Sequence, residues 1–109
     1  MAHPGELELM VLLAILRLDD AAYGVTIREE LERETSRTIA FGTVYKTLGR
    51  MEGKGFLESR MGEPTGERGG RRKKLYQITP AGLAIARRSV ADLQRLTKGL
   101  EAALEGEAS

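Results

Sequence analysis

The chain has 109 residues, enough for one domain and little more. Apolar residues make up 41% and charged residues 30%, which excludes an intrinsically disordered chain, and a formal net charge of +1 carries by itself no sign of a nucleic-acid partner. Cysteine is absent, so disulfides, cysteine metal sites and a cysteine nucleophile are excluded. The single histidine, His3, reads as an ordinary terminal residue. The most apolar run, residues 7–18, is too short to span a bilayer. With no signal peptide visible, a cytoplasmic protein without a membrane partner is expected.

The charge is unevenly spread. Residues 1–40 hold 4 basic and 8 acidic side chains, residues 41–79 hold 9 and 4, and residues 80–109 hold 4 and 4. The middle third is therefore the basic part of the molecule.

The first expected helix, residues 6–18, carries leucine, methionine, valine, isoleucine or alanine at ten of its thirteen positions. Apolar residues surround it, so it must be covered on most sides. Asp19 and Asp20 form a turn. The second helix runs from Tyr23 or Gly24 to about Thr35, with Val25, Ile27 and Leu31 inward. Arg28, Glu29, Glu30, Glu32, Arg33 and Glu34 lie outward, as a solvated face.

The third helix spans residues 42–54. On a helical wheel Val44, Leu48 and Met51 share one side. Thr43, Lys46, Gly49, Arg50 and Gly53 lie opposite, with Tyr45 on the flank. Gly55 is placed to end the helix in a left-handed cap. The two interior glycines cost roughly 1 kcal/mol each relative to alanine. Either the position tolerates them or a surface must approach the helix closely.

Residues 57–61 read as a strand, residues 62–70 as a loop, and residues 71–79 as a returning strand with Tyr76 and Ile78 on one face. Arg68, Arg71, Arg72, Lys73 and Lys74 crowd the loop and the strand's start. They fit either a nucleic-acid contact or an edge strand protected by charge. Thr79 as N-cap and Pro80 at the first position open a last helix. It is expected to run to about Leu104, with a seven-residue seam of Leu83, Val90, Thr97 and Leu104 beside Ala86, Leu93 and Leu100, widened by Leu96 and Ala103.

The fold class expected is mostly α with one small β-hairpin: a winged helix-turn-helix over residues 1–79, a long C-terminal dimerisation helix over residues 80–105, and a frayed tail at 106–109. In a winged helix-turn-helix the third helix enters the DNA major groove and the hairpin reaches phosphates or the minor groove. Lys46 and Arg50 would then meet phosphates or acceptor-rich base edges, and Gly49 and Gly53 would let the backbone lie near the duplex.

Three stretches resemble the PadR family of bacterial transcriptional regulators: YGVTIREEL from Tyr23, GTVYKTLGRMEGKGFL from Gly42, and GERGGRRKKLYQITPAG from Gly66. The resemblance implies a dimeric DNA-binding protein, usually a repressor of a pseudo-palindromic site. It implies DNA contacts at Thr43, Tyr45, Lys46 and Arg50 of the third helix and at Arg68, Arg71 and Arg72 of the wing. It also implies a dimer interface of the first and last helices, here Leu9, Leu12, Leu13, Leu16, Leu83, Val90, Leu93, Leu96, Leu100 and Leu104. Two departures stand out. Ala40 replaces a frequent serine before the third helix, and Lys46 a frequent proline. Release by a small-molecule effector is a family property; no residue points to one, and with tryptophan absent and the aromatics mostly in the DNA-binding half, a planar ligand is less supported. No cofactor is expected.

Other classes fit less well. No nucleophile–base pair, metal-ligand spacing or phosphate loop marks an enzyme. A winged helix that binds an acidic protein partner remains the main alternative. An RNA-binding winged domain is disfavoured by the lack of exposed aromatics for stacking.

Overall fold

A computed structural model describes residues 4–64 and 72–106. Helix α1 (Glu6–Leu18) leads through a 3-10 turn (Asp19–Ala21) into α2 (Gly24–Glu34) and α3 (Phe41–Gly53). The antiparallel hairpin β1 (Leu57–Pro64) and β2 (Arg72–Ile78) follows, then α4 (Pro80–Thr97) and a single turn, α5 (Glu101–Leu104). His3, Arg68 and Arg71, with most of the wing tip and residues 107–109, lie outside the described residues.

The element order is the expected one, and α1 is its centre. It packs against α2, α3, α4 and β2. Val11, Leu12 and Ile15 are buried there beside Ile27 and Leu31 of α2, Val44, Leu48 and Met51 of α3, Leu57 and Tyr76 of the hairpin, and Ile85 and Ala86 of α4. A helix apolar on nearly every side is stable in water only when neighbours cover most of it, and four elements do so here.

Leu57 pairs with Ile78 and Arg60 with Leu75, which puts Leu57 and Tyr76 on the core face. β1 runs three residues past its expected end and carries an irregularity between Met61 and Pro64. The Tyr76 amide also donates to the Ala22 carbonyl at 2.8 Å, and Tyr23 bridges to Leu75. The segment before α2 thus acts as a third, very short strand, and it ties the wing to the helical part.

The junction of hairpin and α4 is tight. The Thr79 hydroxyl caps α4 by accepting from the Gly82 amide at 3.0 Å and donates to the Gly55 carbonyl at 2.7 Å. Gly55 sits at φ 82°, the left-handed stop expected after α3. Gly82 lies where a Cβ would fall onto the Phe56 carbonyl oxygen and within 2.9 Å of Ile78 Cγ1.

Four expectations are corrected. The last helix is not continuous to Leu104: Lys98 is extended, Gly99 turns left-handed at φ 86°, and α5 starts anew at Glu101. Glycine adopts that conformation at no steric cost, so the seam breaks after Thr97. Val25 is not inward, because it stands two residues from Ile27 and so on the far side of α2, where it is exposed. Its place on the inner face is taken by Glu30, which is not solvated: its buried carboxylate accepts from Arg17 at 2.5 Å and from Arg33. Finally, Leu12 is wholly enclosed by the protomer's own core and has no surface to offer a dimer interface.

Gly82→Ala should destabilise the fold by about 1–3 kcal/mol, because the backbone oxygen it meets has no rotamer to escape into. Urea denaturation of the two proteins measures it.

Candidate nucleic-acid interface

Helix α3 begins without a side-chain cap, since its N-cap is Ala40. Val44, Leu48 and Met51 anchor it by complete burial, and Thr47 joins them by donating its hydroxyl to the Thr43 carbonyl at 2.8 Å. Thr43, Lys46, Gly49, Arg50 and Gly53 are all exposed. The structure thus brings the expected residues of α3 onto one outward surface.

Tyr45 stands at the edge of that surface, 51% exposed, and so is not a core residue. Its ring lies over Gly24, where an added Cβ would come within 2.5 Å of the hydroxyl. The glycine of the Tyr23-Gly24 pair is therefore needed for the tyrosine of α3 to lie down. Phe41 stacks beside Tyr45 with ring centroids 6.2 Å apart, and the Arg28 guanidinium sits 4.4 Å from the Phe41 centroid. Arg28 is held by the Ile39 carbonyl at 2.6 Å and by Glu32 at 3.4 Å. Phe41 is itself 39% exposed. The flank of α3 consequently carries two accessible aromatic rings, contrary to the expectation that none would be available for stacking.

The wing closes the other side. Tyr23, Gly24, Val25, Tyr45, Arg72, Lys73 and Lys74 line a cleft of about 230 Å³ between the start of α2, the flank of α3 and the first residues of β2, at the loop end of the hairpin. Tyr45 and Arg72, far apart in sequence, meet in this cleft. Lys73 Nζ donates to the Tyr23 hydroxyl at 3.0 Å and lies over that ring. Lys74 pairs with Glu52 at 3.4 Å. The Ser59 hydroxyl, with Lys74 behind it, holds the Glu52 carboxyl below the usual carboxylate range. Lys46 and Arg72 have no hydrogen bond or ion pair among the described residues, so two cations face outward uncommitted.

Arg50 is different. Its Nε lies 3.6 Å from Glu8 Oε2, and Lys54 Nζ lies 3.1 Å from the same oxygen. Glu8 belongs to α1, is only 7% exposed, and accepts the Gly5 amide at Oε1 at 2.9 Å. That amide, followed by Lys54 and Arg50, holds its carboxyl below the ordinary value against the opposing effect of burial. Neither Glu8 nor Lys54 belongs to the expected site. The only local signal for Glu8 is its place three residues after Gly5, where glutamates cap helices. Its contacts with α3 span more than forty positions and leave no sequence trace.

The chain matches the model of the transcriptional regulator PadR-like family over residues 12–88, and it belongs to that family. It is 34% identical over 84 residues to a curated transcriptional regulator of Mycobacterium tuberculosis, covering 74% of each chain. Its fold is similar to that of a PadR family regulator from Eggerthella lenta, with a TM-score of 0.66 and 28% identity over 92% of this chain and 87% of that one. A PadR family regulator from Clostridium difficile gives 0.69 and 27%, over 88% and 97%. Bacillus subtilis PadR, solved in complex with operator DNA, shares the fold at a TM-score of 0.64 and 20% identity, over 78% of this chain and 46% of that one.

Because the folded-state carboxyl of Glu8 is depressed, its stabilising contribution is complete above the ordinary value of 4.5 and fades as pH falls through the lower folded value. Glu8→Gln keeps the amide-accepting oxygen and removes that titration. Thermal melts from pH 7 to pH 3 should therefore fall less steeply below about pH 4.5 for the variant than for the wild type.

Proposed function

We propose that this chain is a homodimeric, sequence-specific DNA-binding regulator that represses by occupying a pseudo-palindromic promoter site and excluding polymerase. The observation that carries the reading is the outward side of α3: three exposed polar or basic side chains, two exposed glycines and, beside them, a cleft lined by three wing cations. The operator complex of Bacillus subtilis PadR supports it.

Gly49 and Gly53 strengthen the case. An added Cβ at either position meets nothing within 4 Å among the described residues, so no contact there requires glycine. Each still weakens the helix by roughly 1 kcal/mol. A surface from outside that approaches the helix backbone accounts for both, and the major groove is such a surface.

In this reading Lys46, Arg50 and Thr43 face base edges and phosphates, while Arg72, with Arg68 and Arg71 further along the wing, contacts phosphates. The Tyr45 hydroxyl reaches the backbone at the cleft. Residues 1–79 form the DNA-binding part, residues 80–105 the dimerisation part and residues 106–109 a tail. Leu93, Leu96, Leu100 and Leu104 are exposed along the C-terminal segment and Leu16 on α1. Leu9, Leu13, Leu83 and Val90 are half-buried beside that surface. Leucines at this density on one small protomer favour a second copy as cover. Two α3 helices would then address half-sites about 10 bp, or a small multiple of that, apart. The cytoplasm is the matching location, and no helix among the described residues is long and apolar enough to cross a membrane.

Fluorescence anisotropy against DNA from upstream of the protein's own gene, with a shuffled duplex as control, tests the reading. Lys46→Ala should weaken the upstream complex by roughly 1–3 kcal/mol. Gly49→Ala should weaken it too, while stabilising the free protein by about 1 kcal/mol. Absence of binding to either duplex at low salt would favour an acidic protein partner instead. In sedimentation velocity, Leu96→Glu should convert a dimer into monomers; a wild type that already sediments as a monomer would refute the dimer.

A further inference from the structure

Resting on the reading of α3 as a DNA-facing helix, we infer that Glu8 is a specificity-determining residue that touches no DNA and acts through Arg50 and Lys54. It withholds both cations from isolated phosphates and yields them where a base edge competes better.

The geometry separates two tasks in one carboxylate. Oε1 accepts the Gly5 amide and caps α1. Glutamine would cap equally well, so capping does not explain a charge at a site only 7% exposed. Oε2 is directed at α3, with Lys54 at 3.1 Å and Arg50 at 3.6 Å. Both cations are about half exposed, at 44% and 56% of their side-chain surface; Arg50 lies in the last turn of the DNA-facing helix and Lys54 is its C-cap. Arg50 is further steadied by Thr47, 3.3 Å from its Nη2.

The DNA-facing surface therefore carries two kinds of cation. Lys46 and Arg72, without partners among the described residues, are open to any phosphate. For Arg50 and Lys54 a phosphate must displace a carboxylate tethered beside them at high effective concentration, and a lone phosphate gains little from that exchange. A guanine edge accepts two guanidinium N–H groups in parallel and gains more. The same negative charge also repels a backbone that approaches without such compensation. A built-in repulsion that penalises wrong sequences more than right ones raises discrimination and lowers affinity.

The test titrates wild type, Glu8→Gln and Arg50→Ala onto the upstream and shuffled duplexes at several salt concentrations, with thermal melts alongside. Glu8→Gln is expected to bind the shuffled duplex several-fold more tightly, with the salt slope steeper by about 0.9 for each cation released. The upstream complex should tighten less, so the ratio of affinities falls. Arg50→Ala is expected to weaken the upstream complex roughly tenfold or more and the shuffled one less than twofold. A structural role alone would lower melting temperature and weaken both duplexes together with unchanged slopes, and that result overturns the inference. Should Glu8→Gln not fold, Arg50→Ala decides: equal loss on both duplexes, with both slopes reduced by about 0.9, shows Arg50 already on phosphates and also overturns it. A wild type that binds neither duplex at low salt removes the DNA reading and this inference together. Binding of both duplexes with equal affinity retains DNA binding and overturns the inference alone, because there is no discrimination to lose.

Discussion

Among the described residues, α2, α3, α4 and the hairpin are positioned by the burial of α1. A helix with apolar side chains on nearly every side must recruit cover, and α2, α3, α4 and β2 supply it. The outward surface of α3 is a by-product of that requirement. Once Val44, Leu48 and Met51 are driven inward to meet α1, Lys46, Gly49, Arg50 and Gly53 are left outside. The wing is drawn in by the same core through Leu57 and Tyr76, so the basic first residues of β2 land beside α3. The basic outward surface of α3 and the hydrophobic core are two sides of one arrangement.

Polar contacts then refine what apolar burial roughs out, and glutamates on inner faces do most of it. Glu30 draws Arg17 of α1 onto α2 and also pairs with Arg33 of its own helix. Glu8 draws Arg50 and Lys54 toward α1. On the surface, the exposed Glu6 holds Arg37 of the α2–α3 connector at 2.6 Å. Among the described residues no buried side-chain nitrogen or oxygen lacks a partner. Buried carboxylates of this kind fix relative helix positions more than they add net stability, since desolvation offsets much of the attraction.

These two layers were not equally legible in the sequence. The α3 wheel, the Gly55 stop, the Thr79-Pro80 start and the register of the hairpin face rest on local periodicity and turn chemistry, which a single sequence displays. α1 was bounded to the residue for the same reason. On α2 wheel position decides exposure and residue type does not, which is why Glu30 turns inward and Val25 outward against the expectation. The leucine repeat continues across Gly99, yet a repeat records which residues could share a face and not whether the backbone between them stays helical. Glu8, Lys54 and the Arg28–Phe41 platform were invisible because each depends on a contact between distant segments. Tyr45 lay between these cases: its position on the flank was readable, but its seat on Gly24 was not.

The joint at the base of the wing has a mechanical meaning. The end of α3, the first residues of β1 and the start of α4 converge where Thr79 bonds both Gly55 and Gly82 and where Gly82 abuts the Phe56 carbonyl. No side chain cushions that contact, so backbone bears directly on backbone. From this fulcrum α4 extends for 18 residues, about 27 Å. By geometry alone, a tilt of α4 by about 5° about this joint would move its far end by about 2 Å, so the distal leucines are the part of the helix whose position is most sensitive to the joint.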